Sequence, residues 1–327
     1  MDSRLTRRGV LAGSVAGAAG LAVGATAPAA PGYRPGGTAT RASAARAGAV
    51  GRPRLRWLGN NGWEIRFDTP NGRRTVLIDP WLTRFHTGTY TKQGADPDTP
   101  LSVRPDVIDR YHLSADHILV THGHYDHLTD VPYLAGRTGA TVLGTETHVN
   151  LMTALGAPAD QLSVVRGGEY LECDGYTIQV LRSLHSMVGE RSRVPFPGTR
   201  PGHPPATPKV IADLVEGETL AYLITVGEVS IIDFGGSNYA SADLAGLRPT
   251  VALVPVGGGA IHRYVPRLLD TLGHPRYVLP THWDDFDYPL DEPARDFGGL
   301  APLRTAVRQA SPASRFVVLD HLETFTP

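Results

Sequence analysis

The chain contains 327 residues, and its 31 Lys and Arg nearly balance its 32 Asp and Glu. Hydrophobic residues make up 41% and charged residues 19%, which is typical of a globular protein and not of a disordered or fibrous one. The net charge of −1 gives no electrostatic reason to expect a nucleic acid partner, so none is predicted. The single cysteine, Cys173, excludes an internal disulfide framework and a multi-cysteine zinc ribbon. Any bound metal must therefore be held by histidine and carboxylate side chains.

The N-terminus has the layout of a signal peptide. Residues 1–29 begin with basic residues, continue with a Gly/Ala-rich apolar run and end in Ala-Pro-Ala, an acceptable cleavage site. Arg7 and Arg8 resemble the twin-arginine motif, which predicts export by the twin-arginine translocase to the periplasm or the extracellular medium. An uncleaved membrane anchor is the alternative, because the run is about long enough to cross a bilayer.

Residues 30–53 contain one aromatic residue and no apolar periodicity, which predicts a disordered linker.

A single folded domain is expected over residues 54–327. Short apolar or alternating runs predict strands at Arg54–Leu58, Gly62–Phe67, Thr75–Ile78, His117–Thr121, Thr141–Leu143, Thr177–Leu181, Ala221–Val226, Val229–Ile232, Val251–Val254, Tyr277–Leu279 and Phe316–Leu319. Helices are predicted at Thr147–Leu155, Ala240–Leu247, His262–Leu272 and Pro302–Ala310. Hairpins followed by mixed strands and helices indicate an α+β fold with the helices outside the sheets.

One segment cannot form a regular element. Residues Val194–Pro208 contain six prolines in fifteen positions. The segment is predicted to be an irregular surface loop, and the alternative is a stiff flap beside an active site.

A group of metal-ligating side chains follows the predicted strand His117–Thr121. His122, His124, Asp126 and His127 fall within six residues. The spacing allows His122 and His124 to face one ion, while Asp126 and His127 turn towards a second. Mixed histidine and carboxylate ligands suit Zn²⁺, and Mn²⁺ or Fe²⁺ are also compatible. The alternative is a polar histidine-rich loop that binds no metal.

The segment Thr121–Leu128 (THGHYDHL) resembles the HxHxDH signature of the metallo-β-lactamase superfamily, and the resemblance covers residues 54–327. The segments Arg56–Ile65 and Val76–Pro80 are similar to the opening strands of one branch, which contains L-ascorbate-6-phosphate lactonase and N-acylphosphatidylethanolamine-hydrolysing phospholipase D. This resemblance implies a four-layer αβ/βα sandwich with two metals at one edge of the sheets. The chain departs from the branch at Asn60, where a histidine often follows the glycine.

The resemblance also implies the remaining ligands. It places the third histidine of the first metal at His185 and the last histidine of the site at His282. His148 competes for the third position, although it lies in a predicted helix. The aspartate that bridges the metals in the family falls on Gly236, which has no ligand atom. Asp233, three residues earlier, is then the candidate bridge, and its alternative is a structural role behind a ligand histidine.

These assignments predict an exported metal-dependent hydrolase that acts on a small-molecule substrate. The metals are expected to lower the pKa of a water to about 7 and hold it as hydroxide for attack on an ester, lactone or phosphodiester. Asp126 is expected to bind the second metal and to accept the proton of the water, while Tyr239 is a candidate proton donor to the leaving group. The alternative is a protein of the same fold that binds a ligand or metal without hydrolysis, which Asn60 and Gly236 favour.

Overall fold

Two sheets of seven strands each build the computed structural model, which describes residues 50–327. The predicted signal peptide, its membrane-anchor alternative and residues 30–49 of the predicted linker lie outside the described residues. The last linker residues pack on the domain, since Gly51 N donates to Asp68 O over 2.8 Å and Pro53 is buried. No helix within the described residues is both long and apolar enough to span a membrane.

The first sheet is formed by the N-terminal strands and one strand from the C-terminus. Its strands are β1 (Arg54–Trp57), β2 (Trp63–Thr69), β3 (Gly72–Ile78), β4 (His117–Leu119), β5 (Thr141–Gly144), β6 (Leu162–Val164) and β14 (Thr324–Phe325). Their order is β14-β1-β2-β3-β4-β5-β6. Pairs from β14 to β3 are antiparallel, and pairs from β3 to β6 are parallel.

The second sheet repeats this pattern without an evident sequence repeat. Its strands are β7 (Tyr170–Cys173), β8 (Tyr176–Arg182), β9 (Leu220–Val226), β10 (Val229–Asp233), β11 (Val251–Pro255), β12 (Tyr277–Thr281) and β13 (Arg315–Phe316). Their order is β13-β12-β11-β10-β9-β8-β7, with antiparallel pairs from β7 to β10 and parallel pairs from β10 to β13. The sequence analysis missed β6, β7 and β14, because each is too short to show a clear period.

Helices cover the outer faces of the sheets. They are α1 (Pro105–Ile108), α2 (Tyr125–Leu128), α3 (Val131–Thr138), α4 (Glu146–Ala154), α5 (Tyr264–Thr271) and α6 (Leu300–Ala310), with 3₁₀ turns at Asp109–Tyr111, Ala159–Gln161 and Ile211–Asp213. The prediction of a helix at Ala240–Leu247 is wrong, because this segment forms successive turns. Its Asp243 carboxylate accepts from Arg182, and Gly246 adopts a φ of 84°, which ends any helix.

The alternation of side chains along β3 shows how the layers are held. Val76 and Ile78 lie in the core between the two sheets, while Leu77 lies in a second core with α2, α3 and α4. All three side chains are fully buried. Burial of one such side chain contributes about 1.5–3 kcal/mol to the free energy of unfolding, relative to leaving it exposed. Helices α5 and α6 pack on the second sheet. The predicted single-domain αβ/βα sandwich is therefore confirmed.

Candidate metal centre

Three histidines from two sheets form the first cluster. His122 and His124 follow β4 in the first sheet, and His185 follows β8 in the second. His122, His124 and His185 each offer a ring nitrogen, and these three atoms lie within 4.8 Å of one another. The structure therefore brings together the three residues that the sequence assigns to one ion.

Gly123 allows the loop between these histidines to pass close to a neighbouring segment. A Cβ atom at this position would lie 2.3 Å from the Val215 carbonyl oxygen, so no other residue fits. The Gly123 N–H donates to Glu216 O over 2.8 Å and holds the loop in place. With the loop held in this way, the rings of His122 and His124 lie 4.7 Å apart.

Hydrogen bonds determine which nitrogen of each ring is free. His185 Nδ1–H donates to Ser186 O over 2.7 Å, which leaves Nε2 as an acceptor. The Thr121 hydroxyl donates to Asp79, so its oxygen accepts from His122 Nδ1–H over 3.2 Å. The two unprotonated Nε2 atoms then face each other at 3.2 Å. Burial lowers the pKa of both rings, so they stay neutral, and a cation between the two lone pairs would remove their repulsion.

His124 is oriented by the proline-rich segment. Its Nε2–H donates to Pro195 O over 2.9 Å, which leaves Nδ1 as the free ligand atom. Burial, with the neighbouring His185, lowers the pKa of His124 to about 3. All three rings of the cluster are thus neutral imidazoles, the form in which histidine binds a metal.

Asp126, His127 and His282 form the second cluster, and their ligand atoms also lie within 4.8 Å of one another. His127 Nε2 lies 3.2 Å and His282 Nε2 lies 3.3 Å from Asp126 Oδ2. His127 Nδ1–H donates to Asp79 Oδ2 over 2.7 Å, while its Nε2 is buried without a hydrogen-bond partner. A buried ring nitrogen without a hydrogen-bond partner, beside a carboxylate, is available to coordinate a cation, so the donor set fits a metal.

The electrostatics of this cluster favour a cation. Burial opposes a charge on His127, but the Asp126 and Asp79 carboxylates outweigh it and raise the pKa of His127 to about 10. Burial also opposes the charge on Asp126, yet His127 and His282 hold the pKa of that carboxyl well below its usual value. A positive charge is therefore stabilised between these groups, whether it is a proton or a metal ion.

Asp233 lies at the end of β10, and it joins neither cluster among the described residues. Its Oδ1 accepts from Asn61 Nδ2 and from Gly235 N, each over 3.0 Å. Burial and the Asp79 charge raise the pKa of Asp233 to about 8. Asn61 also donates to Asp79 Oδ2 over 2.8 Å, which links Asp233 to the carboxylate behind His127. This contact agrees with the structural alternative, and the bridging role stays a prediction.

Two other candidates are excluded by their contacts. His148 Nδ1 accepts from Thr145 N over 3.1 Å at the start of α4, and its Nε2–H donates to Glu216 O over 3.2 Å. Both ring nitrogens are therefore engaged by backbone groups. Tyr239 does not line the cleft above the clusters, and the Arg267 guanidinium lies 5.5 Å from its ring centroid. His148 therefore cannot replace His185, and Tyr239 is not placed to protonate a leaving group.

The sequence analysis missed residues that support the ligands. Asp79 accepts from His127, Asn61 and Thr121, and it directly follows Ile78, the last residue of β3. Asn60 Nδ2 donates to the backbone oxygen and to Oδ2 of Asp126. A buried polar residue directly after an apolar strand was the available signal for Asp79.

Both clusters open into one cleft of about 900 Å³. Its walls include Pro195 and Phe196 from the proline-rich segment. Two backbone hydrogen bonds hold this segment, since Glu216 N donates to Phe196 O and Gly217 N donates to Gly198 O. The segment is irregular, as predicted. It also lines the cleft, which agrees with the alternative of a flap beside the active site.

Fold and site together define a two-sheet sandwich protein with two candidate metal-binding clusters at one cleft. The model of the Beta-lactamase superfamily domain matches residues 54–282, and the chain therefore belongs to the metallo-β-lactamase superfamily. The chain is 27% identical over 321 residues to a UPF0173 metal-dependent hydrolase of Myxococcus xanthus, covering 95% of this chain and 97% of the relative. A relative of the same description from Polynucleobacter asymbioticus is 28% identical over 74% of this chain and 78% of its own length.

Solved structures of low identity share the fold. Igni18, a metallo hydrolase of Ignicoccus hospitalis, is 19% identical with a TM-score of 0.51, covering 85% of this chain and 99% of that chain. The metallo-β-lactamase fold protein YhfI of Bacillus subtilis is 12% identical with a TM-score of 0.52, covering 84% of this chain and 100% of that chain.

Proposed function

We propose that this protein hydrolyses an ester, lactone or phosphodiester bond in a small-molecule substrate with the help of bound metal. The observation that carries the proposal is the pair of three-residue clusters, five of whose six residues line the same cleft. Metal-dependent hydrolases among the relatives support the reaction class. Zinc is the proposed ion, because three neutral imidazoles form a ligand set that zinc commonly takes in catalytic sites.

When bound, the metal supplies Lewis-acid chemistry: it makes water nucleophilic near neutral pH and neutralises charge that develops on the substrate oxygen. The protein residues supply the proton transfer and the positioning. Asp126 remains a carboxylate, which lets it accept a proton from the attacking water. Tyr90 lines the cleft with its hydroxyl 3.4 Å from His282 Nδ1, so it is a better-placed candidate proton donor than Tyr239.

The test combines metal analysis with a panel of ester, lactone and phosphodiester substrates. Protein purified with zinc should contain one to two ions and hydrolyse at least one substrate, and chelation should abolish the activity. His185→Ala should lose the tighter ion and the activity. His148→Ala is the matched control, a buried histidine whose nitrogens are both engaged by backbone, and it should retain the metal even if it is less stable.

A second candidate function is binding of a ligand or metal without hydrolysis. It is favoured by Gly236, which offers no ligand atom, and by Asp233, whose Oδ1 is held by Asn61 and Gly235. This function predicts protein that binds one ion yet leaves every substrate of the panel intact.

We further propose that the twin-arginine pair exports the protein in a folded state. Replacing Arg7 and Arg8 with Lys should strongly reduce the mature protein in the periplasmic or extracellular fraction. Undiminished export of this variant would contradict the twin-arginine route.

A further inference from the structure

We infer that the substrate is an uncharged carboxylic ester or lactone with an apolar chain, and that the cleft selects it through contacts with that chain. The inference rests on the proposed function and narrows it to one substrate class. It is carried by three features of the cleft: its exposed apolar rim, its aromatic wall and the absence of cationic side chains.

The apolar rim consists of Met187, Val188 and Phe297. Large hydrophobic side chains that stay exposed number seven among residues 50–327, and these three of the seven line the cleft. Their exposed fractions are 39%, 51% and 40%. Single exposed hydrophobic residues are ordinary, but several around one concave site indicate a binding surface for an apolar group.

The aromatic wall continues the rim towards the clusters. The Tyr90 ring stacks on Phe297 with centroids 4.1 Å apart, and Phe286 meets Tyr90 edge-on at 4.9 Å. Phe286 in turn lies 5.8 Å from the His282 ring. The wall therefore leads from solvent to the second cluster without interruption. The apolar chain of a substrate that lies along it would remain in apolar contact up to the reacting carbonyl group.

Apart from the proposed metal, the cleft offers no cationic side chain to an anionic substrate. None of its lining residues, all of which fall within residues 50–327, is Lys or Arg. Apart from the ligand clusters, its polar side chains are neutral, namely Thr89, Tyr90, Tyr125, Ser186, Ser192 and Ser237. Proteins that bind phosphodiesters usually provide basic side chains for the phosphate oxygens. An uncharged carbonyl needs no such partner and loses less hydration on entering an apolar cleft.

The reaction on this substrate is a hydrolysis. The oxygen of water bonds to the carbonyl carbon, and the bond between that carbon and the alkoxy oxygen breaks. One proton of the water is taken up by Asp126 and ends on the departing alkoxide, which gives an alcohol and a carboxylic acid. In a lactone both products stay in one molecule, so open esters and lactones share this chemistry.

The test measures kcat/KM of zinc-loaded protein on p-nitrophenyl esters from acetate to octanoate, on γ-lactones of matched chain length, and on bis(p-nitrophenyl) phosphate. Each methylene buried in the cleft can raise kcat/KM by up to about fourfold. We expect octanoate to exceed acetate by at least about tenfold, because part of the chain stays exposed at the rim. The lactone arm distinguishes cyclic from open esters, and the phosphodiester should be the poorest substrate.

Two rim variants with matched controls test the contacts. Val188→Ser and Phe297→Ala should lower the ratio of kcat/KM for octanoate to kcat/KM for acetate several-fold. Val164→Ser and Tyr170→Ala alter exposed residues of β6 and β7 that do not line the cleft, and they should leave the chain-length profile intact. Calorimetry of metal-free protein with 2-dodecanone, an uncharged analogue that cannot be hydrolysed, should show binding that weakens in both rim variants.

The outcomes separate this inference from the proposed function. Preference for the phosphodiester, or ester hydrolysis that does not depend on chain length, would overturn the inference and leave the hydrolase function in place. No hydrolysis of any substrate by metal-loaded protein would overturn both.

Discussion

Asn60 Nδ2 lies 2.7 Å from the Asp126 backbone oxygen and 3.2 Å from Asp126 Oδ2, so one amide holds both the backbone and the carboxylate of the candidate base. The Asn60 backbone is fixed in turn, because its N–H donates to Asp284 and its carbonyl accepts from Thr281 and His282. Asn60 thereby connects the loop of Asp126 to the loop of His282, and both of these residues belong to the second cluster.

Replacing Asn60 with Asp should impair the second cluster. The substitution keeps the shape of the side chain but removes its donor and places a carboxylate against Asp126. Loss of a supporting hydrogen bond to a metal ligand typically costs about 10–100-fold in metal affinity or activity. Asn71→Asp is the control, since Asn71 is an exposed turn residue whose amide bonds Asp174. Equal activity in the two variants would show that Asn60 does not position Asp126.

Gly236→Asp should raise the occupancy of the second ion. The backbone of Gly236 is not left-handed, and a Cβ there would lie 3.7 Å from His185 Cα, beside the first cluster. The same Cβ would lie 3.1 Å from Ser186 Oγ and 3.2 Å from Ser186 N, so the Ser186 segment must shift by a few tenths of an ångström, and the stability of the variant is measured beside its metal content. Metal analysis should show that the metal content rises from close to one ion per protein molecule towards two. Gly235→Asp should instead fail to fold, because its φ is 67° and its Cβ would lie 2.3 Å from Thr121.

Asp233→Asn tests the bridge that the sequence analysis proposed. Asn keeps an acceptor for Asn61 Nδ2 and Gly235 N. If Asp233 is structural, metal content and activity should change little. Loss of one ion together with activity would identify Asp233 as the bridging ligand, and the assignment of that position to Gly236 would then be wrong.

Asp284→Ala should strongly destabilise the protein. The Asp284 carboxylate pairs with Arg84 and with His321 Nε2, and both members of the Arg84–Asp284 pair are almost completely buried. Removing one partner leaves a buried charge without compensation, which typically costs about 3–5 kcal/mol of unfolding free energy. Arg73→Ala removes the Arg73–Asp68 pair, whose exposed fractions are 67% and 70%, and should change stability by about 0–1 kcal/mol. Denaturant unfolding of both variants measures the difference.

Asp130 should make stability depend on pH. Burial raises the pKa of Asp130 to about 6, although Leu82 and Thr83 donate hydrogen bonds to it. Between about pH 4, near the unfolded pKa, and pH 6 the folded state binds more protons than the unfolded state, so unfolding free energy falls as pH rises. The fall due to this group is about 2–3 kcal/mol. The difference between wild type and Asp130→Asn, measured by denaturation from pH 4 to 7, should show it. A difference that does not vary with pH would contradict the prediction.

The motif Thr121–Leu128 could be interpreted from the sequence because its geometry is local. A strand ends, a glycine permits a tight loop, and the ligands project within a few residues of one another. The β2–β3 hairpin was predictable for the same reason, since Asn71-Gly72 specifies a tight turn. Short-range stereochemistry is sufficient for both features.

Features that depend on distant segments were decided by the tertiary structure. His148 has the residue type of a ligand, but the packing of α4 against Glu216 uses its second nitrogen. Asp79 and Asn60 become supports of His127 and Asp126 only because the ends of β1, β3, β4 and β12 meet at one edge of the sandwich. The register of strand pairing and the approach of the two sheets determine that meeting, and neither leaves a local pattern in the sequence.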